Sequence, residues 1–149
     1  MTPKPPAAAG YSGKPLLEKL GIRPGHRISI ENAPGHYLRL LGQLPEGAEL
    51  LAGRASGLDV LHLFAGDRGQ LSQAFPRAKQ RIKPDGVLWI SWTKQTSALK
   101  SDLNENTVRE IGLAHGLVDV KVAAIDQDWS ALKFVYRTKD RPGKGEGSS

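Results

Sequence analysis

The residues best suited to chemistry in this chain fall just after its apolar segments. Asn32-Ala33-Pro34-Gly35-His36 ends the first strand-like stretch, Arg27 to Asn32. Gly66-Asp67-Arg68 follows the run Leu58 to Phe64, and Lys94-Gln95-Thr96-Ser97 follows the run Val87 to Trp92. An ammonium beside hydroxyls suits an anionic group, and a guanidinium suits a phosphate or carboxylate. Pro34-Gly35 at a helix start would present free backbone N–H groups to an anion. The candidate ligand-binding residues are therefore Asn32, Gly35, Arg68, Lys94, Thr96 and Ser97. A solvated loop, a local Asp67–Arg68 ion pair and a simple turn would use the same residues without a ligand.

Other chemistry lacks its pattern. There is no G-x-S-x-G elbow and no G-x-x-x-x-G-K-[ST] loop. With no cysteine, disulfide and thiolate metal chemistry are excluded. His26, His36 and His115 show no metal-ligand spacing, so no metal is expected. His62 has a pKa suited to proton transfer. It lies inside an apolar run with no acidic neighbour, which predicts a hydrogen-bonded structural histidine. Arg77, Lys79, Arg81 and Lys83 form a basic run at a predicted helix end, where cations are favourable without any partner.

The elements that position these residues read as alternating strands and helices. Pro15 to Leu20 predicts a short helix ended by Gly21, and Pro34 a second helix to about Leu41. Glu49 to Ala52 reads as a short strand. Leu58 to Phe64 and Val87 to Trp92 are almost continuously apolar, as strands buried on both faces are. Trp89 and Trp92 are an odd step apart and should face opposite sides. Asp67 caps a helix to about Ile82, with Pro76 expected to kink or split it. Lys83-Pro84-Asp85-Gly86 reads as a turn. Asn104 caps a helix to about His115, and a hairpin from Leu117 to Arg137 closes the chain. The prediction is a single α/β domain over 14–141, Rossmann-like and three-layered. Its sheet is mostly parallel and closed by an antiparallel hairpin. Residues 1–13 read as a flexible arm and 142–149 as a disordered tail, from their Pro, Gly and Ser content.

The net charge of +6 is carried largely outside the fold. Between Arg27 and Arg137, 14 Lys and Arg face 12 Asp and Glu. This near balance, with no interleaved aromatics in the basic run, argues against nucleic acid as a partner. No apolar run approaches the ~20 residues of a membrane span. The first ten residues lack a signal peptide's apolar core, so a cytoplasmic protein is expected.

The element order resembles a truncated class I methyltransferase, with Lys83-Pro84-Asp85-Gly86 before an apolar strand as the best local match. That resemblance implies S-adenosylmethionine as cofactor. Its glycine loop, G-x-G-x-x-G or similar, is missing after the first strand. The carboxylate expected after the second strand is replaced by Ala52-Gly53-Arg54. Four segments also resemble a bacterial domain-of-unknown-function family: YSGKPLLEKLGI with the Asn32–Pro34 turn, DVLHLF, GVLWISWTK, and VREIGLAHGLVDVKV followed by WSALKFV. That resemblance implies no catalytic residues. The expectation is a non-catalytic module for a small anionic ligand or a protein partner, with no cofactor. Two alternatives stay open: a methyltransferase with an atypical cofactor loop, and a weak nucleic-acid binder acting through its basic arms.

Overall fold

The computed structural model describes residues 15–137. The arm, the tail and the outer limits expected for the domain lie outside that range. Two runs set the centre of the fold. Leu58–Phe64 (β3) and Ile82–Thr93 (β4) are the middle strands of a six-stranded sheet. Their flanking partners are Arg27–Glu31 (β1), Glu49–Leu50 (β2), Leu117–Ala124 (β5) and Trp129–Tyr136 (β6). The order is β2-β1-β3-β4-β6-β5. β2, β1, β3 and β4 run parallel, whereas β6 is antiparallel to β4 and to β5.

Helices cover both faces, as a parallel sheet requires. Leu16–Leu20 (α1) and Tyr37–Leu41 (α2) pack on one face over Ile28, Val60, Phe64 and Trp89. Arg68–Arg81 (α3) and Glu105–Ala114 (α4) cover the other face over Leu61, Leu63, Leu88 and Ile90. Trp89 and Trp92 do face opposite sides. The Trp89 indole also donates to the Leu20 carbonyl at 3.1 Å, satisfying an acceptor at the end of α1.

Local chemistry explains most element ends. Asp67 and Asn104 cap α3 and α4 by accepting from the Gln70 and Thr107 amides. Gly21, in the left-handed region at φ 77°, ends α1. Three expectations are corrected. α3 runs unbroken through Pro76, because the carbonyl this proline leaves unbonded belongs to Ser72 on the exposed face. α2 begins only at Tyr37, whose amide bonds the Pro34 carbonyl, so Pro34 forms a turn before the helix. Lys83 to Gly86 belongs to β4 as a bulge, with pairing jumping from Leu58–Ile82 to Val60–Val87. A side chain at Gly86 would stand 2.6 Å from the Leu58 carbonyl oxygen, so the bulge depends on glycine.

One packing contact gives a direct test. Gly112 of α4 lies against Phe134 of β6, whose ring fills the space a Cβ would take. Overpacking costs about 1–3 kcal/mol, against about 1 kcal/mol gained when a helical glycine becomes alanine. Gly112→Ala is expected to lose about 1 kcal/mol on balance, read as a lower urea midpoint with unchanged slope.

Candidate functional site

Strand order locates the ligand edge. From β1 the chain adds β2 on one side and then β3 on the other, so order reverses beside β1. In open α/β sheets ligands bind beyond the carboxyl ends of the strands at such a reversal. Here that edge is built by the loop 32–36 after β1, the loop 51–57 after β2 and the start of α3.

Two clefts flank β1 and the loop after β2, one on each face of the sheet. The first opens at this edge, and the second lies along the α3 face, against the last turns of α3. On the α2 face, Ile30, Ala33, Pro34, Leu38, Leu50 and Leu51 line an apolar cleft of about 470 Å³. Leu38 and Leu50 are exposed there, at 57% and 45%. On the α3 face, Glu31, Arg54, Ser56, Arg77, Gln80 and Arg81 line a polar cleft of about 690 Å³. The loop after β2 borders both: Leu51 and Ala52 face the first, Gly53 and Arg54 the second.

Further along, the edge is filled by the protein itself. His36 Nε2 meets Asp126 Oδ2 at 2.7 Å, joining the loop after β1 to the β5–β6 hairpin. The other Asp126 oxygen accepts from the Asp128 and Trp129 amides. Trp129 packs edge-on to Phe64, with ring centroids 5.1 Å apart.

Beneath this cover lies a buried chain of polar groups. Tyr37 OH is 2.7 Å from His62 Nδ1, and His62 Nε2 is 2.6 Å from Ser91 Oγ. Burial pushes the His62 pKa down to about 3 and raises that of Tyr37. A serine–histidine pair has the order of a nucleophile and its base. All three residues are almost fully buried, so no substrate reaches Ser91. His62 is thus the hydrogen-bonded core histidine expected from its apolar run.

Comparison with solved structures decides the fold. A possible exported protein from Bordetella parapertussis aligns with TM-score 0.60 at 12% identity, over 82% of this chain and 65% of that one. A TehB-like SAM-dependent methyltransferase from Corynebacterium glutamicum aligns at 0.55 and 11% identity, over 81% and 85%. The magnesium protoporphyrin IX methyltransferase from Synechocystis, with bound SAM, gives 0.57 and 12%, over 81% and 74%. The chain has a class I methyltransferase-like fold. No protein-family model and no curated protein sequence matches it.

Within this methyltransferase-like sheet the residues expected to bind ligand fall into separate groups. Gly35 lines the apolar cleft, and the exposed Asn32, at φ 60°, precedes it. Arg68, Lys94, Thr96 and Ser97 line neither cleft. Arg68 is exposed at the start of α3, and its backbone amide donates to Asp102. Thr96 is exposed, and the Lys94 amide donates to the Asp128 carbonyl. Ser97 is buried and donates to the Asp128 carboxylate while accepting from the Leu99 amide, so its hydroxyl is committed to the loop. With α2 only five residues long, no helix N-terminus stands at Pro34-Gly35 to hold an anion.

The basic run also resolves. Lys79 donates to the His115 carbonyl, Lys83 pairs with Asp59, and Arg81 bonds the Ala55 carbonyl and Ser29. Arg81 is therefore a tether between α3 and β1, and not the indifferent helix-tail cation its position suggests. Sequence reasoning missed Glu31, Arg54 and Arg77 as one group. The available signal was Arg54, a cation where the second loop was expected to hold a carboxylate.

Proposed function

We propose that this chain is a binding module built on the methyltransferase-like fold, holding a small ligand at the β1/β2 edge without transferring a methyl group. The loop after β1 carries this reading. A dinucleotide-type loop uses glycines so that backbone and ligand approach closely and the following helix points its N–H groups at the ligand. Here Pro34 has no N–H to offer, and a five-residue helix starts only at Tyr37. After β2 the exposed side chain is Arg54, with no carboxylate for ribose hydroxyls. These residues do not fit S-adenosylmethionine, whereas the adjoining cleft is concave, apolar and of small-ligand size.

The same reading makes the chain a member of the bacterial domain family its segments resemble, working in the cytoplasm without a nucleic-acid partner. Among the described residues, no helix is long and apolar enough to cross a membrane. Calorimetry with S-adenosylmethionine and S-adenosylhomocysteine tests the reading. The expected result is a Kd weaker than about 10 μM, or about −7 kcal/mol, for both. Tighter saturable binding of either would restore the methyltransferase alternative.

A further inference from the structure

We infer that the cleft on the α3 face is a binding site for a small phosphate ester with a hydroxylated body, such as a sugar phosphate. This goes beyond the apolar cleft and does not depend on it. Three arginines and one glutamate meet there. Arg81 is fixed: its Nε donates to the Ala55 carbonyl at 2.8 Å and its Nη2 to Ser29 Oγ at 2.9 Å. Its Nη1 lies 3.5 Å from Glu31, longer than the ~2.7–2.9 Å of a well-formed charge-assisted hydrogen bond. Arg54 and Arg77 are exposed, and neither has an ion pair or side-chain hydrogen bond among the described residues. The cleft therefore carries two uncompensated guanidiniums, whose planar forks match phosphate oxygens.

Placement and size narrow the ligand. Glu31 ends β1 and Arg54 follows β2, while Arg77, Gln80 and Arg81 come from the last turns of α3. The site therefore lies between the β2–β3 loop and α3, against the α3 face of the sheet. An arginine near this second loop is what accommodates a ribose phosphate in dinucleotide-binding sheets. Glu31 supplies an acceptor for a ligand hydroxyl, and Ser56 and Gln80 supply neutral donors. The volume of about 690 Å³ fits a small molecule. A duplex would need a longer row of cations, but the neighbouring Lys79 and Lys83 are bound to His115 and Asp59.

The test is calorimetry of the full chain with ribose 5-phosphate, inorganic pyrophosphate, ribose and a short DNA duplex, at low and moderate salt. Variants are Arg54→Ala, Arg77→Ala, Arg77→Lys and, as control, Arg68→Ala. Both phosphate compounds should bind saturably and ribose should not. Arg54→Ala and Arg77→Ala should each weaken binding at least about tenfold. Arg77→Lys should recover part of the loss, Arg68→Ala should change nothing, and melting should be unaffected because the mutated side chains are exposed. Three outcomes each overturn the site. One is no saturable binding of either phosphate compound. Another is equal weakening by all three alanine variants. The third is Arg54- and Arg77-dependent binding of duplex DNA with none of ribose 5-phosphate, which would make the surface a nucleic-acid contact.

Discussion

Acidification will destabilise this fold through His62, by up to about 1.4 kcal/mol for each pH unit between about 6.5 and 3. Burial lowers the folded-state pKa of this histidine from 6.5 to about 3. In that window the unfolded chain binds a proton at His62 and the folded chain does not. Stability therefore rises with pH, is fully present above about 6.5, and is lost as pH falls towards 3. The cause is geometric as well as dielectric. His62 is enclosed by Tyr37, Ser91 and Phe64, the last stacked on it at 4.2 Å between centroids. None of these carries a charge that would offset an imidazolium.

Urea titrations of wild type and His62→Gln at several pH values isolate this contribution, since the carboxylates are common to both. His62→Gln should cost about 1–3 kcal/mol at pH 7 from imperfect hydrogen bonding and should show a shallower acid slope by about one proton. Tyr37→Phe should lower stability yet keep the slope. Parallel pH profiles for wild type and His62→Gln would show that this histidine is not the acid-sensitive group.

Arg81→Ala is expected to cost about 3 kcal/mol, the second large effect. The side chain is 12% exposed and bridges three elements. Its loss strands the Ala55 carbonyl and removes the donor to Ser29, whose hydroxyl itself donates to the Leu51 carbonyl. The loop after β2 would lose its tie to β1 and α3. Arg81→Lys should not restore stability, because an ammonium cannot reproduce the fork that reaches Ala55 and Ser29 together. Glu31→Gln should cost under about 1 kcal/mol, because that pair is long and Glu31 is 38% exposed. Urea denaturation checks all three. Full rescue by lysine would mean that charge alone matters, and a small effect of Arg81→Ala would return the residue to an ordinary helix-tail role.

Much of the fold was legible because its signals are local. Continuous apolar runs at LDVLHLF and VLWISW mark strands with both faces covered, whatever surrounds them. Asp67 and Asn104 cap their own helices through amides three residues away. Gly21 takes a left-handed turn that other residues resist. Even the opposite facing of Trp89 and Trp92 follows from strand geometry alone.

The clefts were not legible, because they depend on partners far apart in sequence. Arg77 and Arg81 are the same residue type at helical spacing. Only the packing of α3 against β1 sends Arg81 to Ser29, 52 positions away, and leaves Arg77 at the surface. Ser97 looked like a ligand hydroxyl until the hairpin brought Asp128 to it from 31 positions away. The turn expected at Lys83 to Gly86 became part of β4 because Gly86 lets the backbone approach the Leu58 carbonyl. By itself, then, the sequence determined which segments are strands, where helices begin and end, and that the usual glycine loop is missing. Tertiary structure decided the rest: parallel pairing carries Glu31 and Arg54 to one side of the sheet, and the packing of α3 against β1 sets which arginine is tied down there and which stay available.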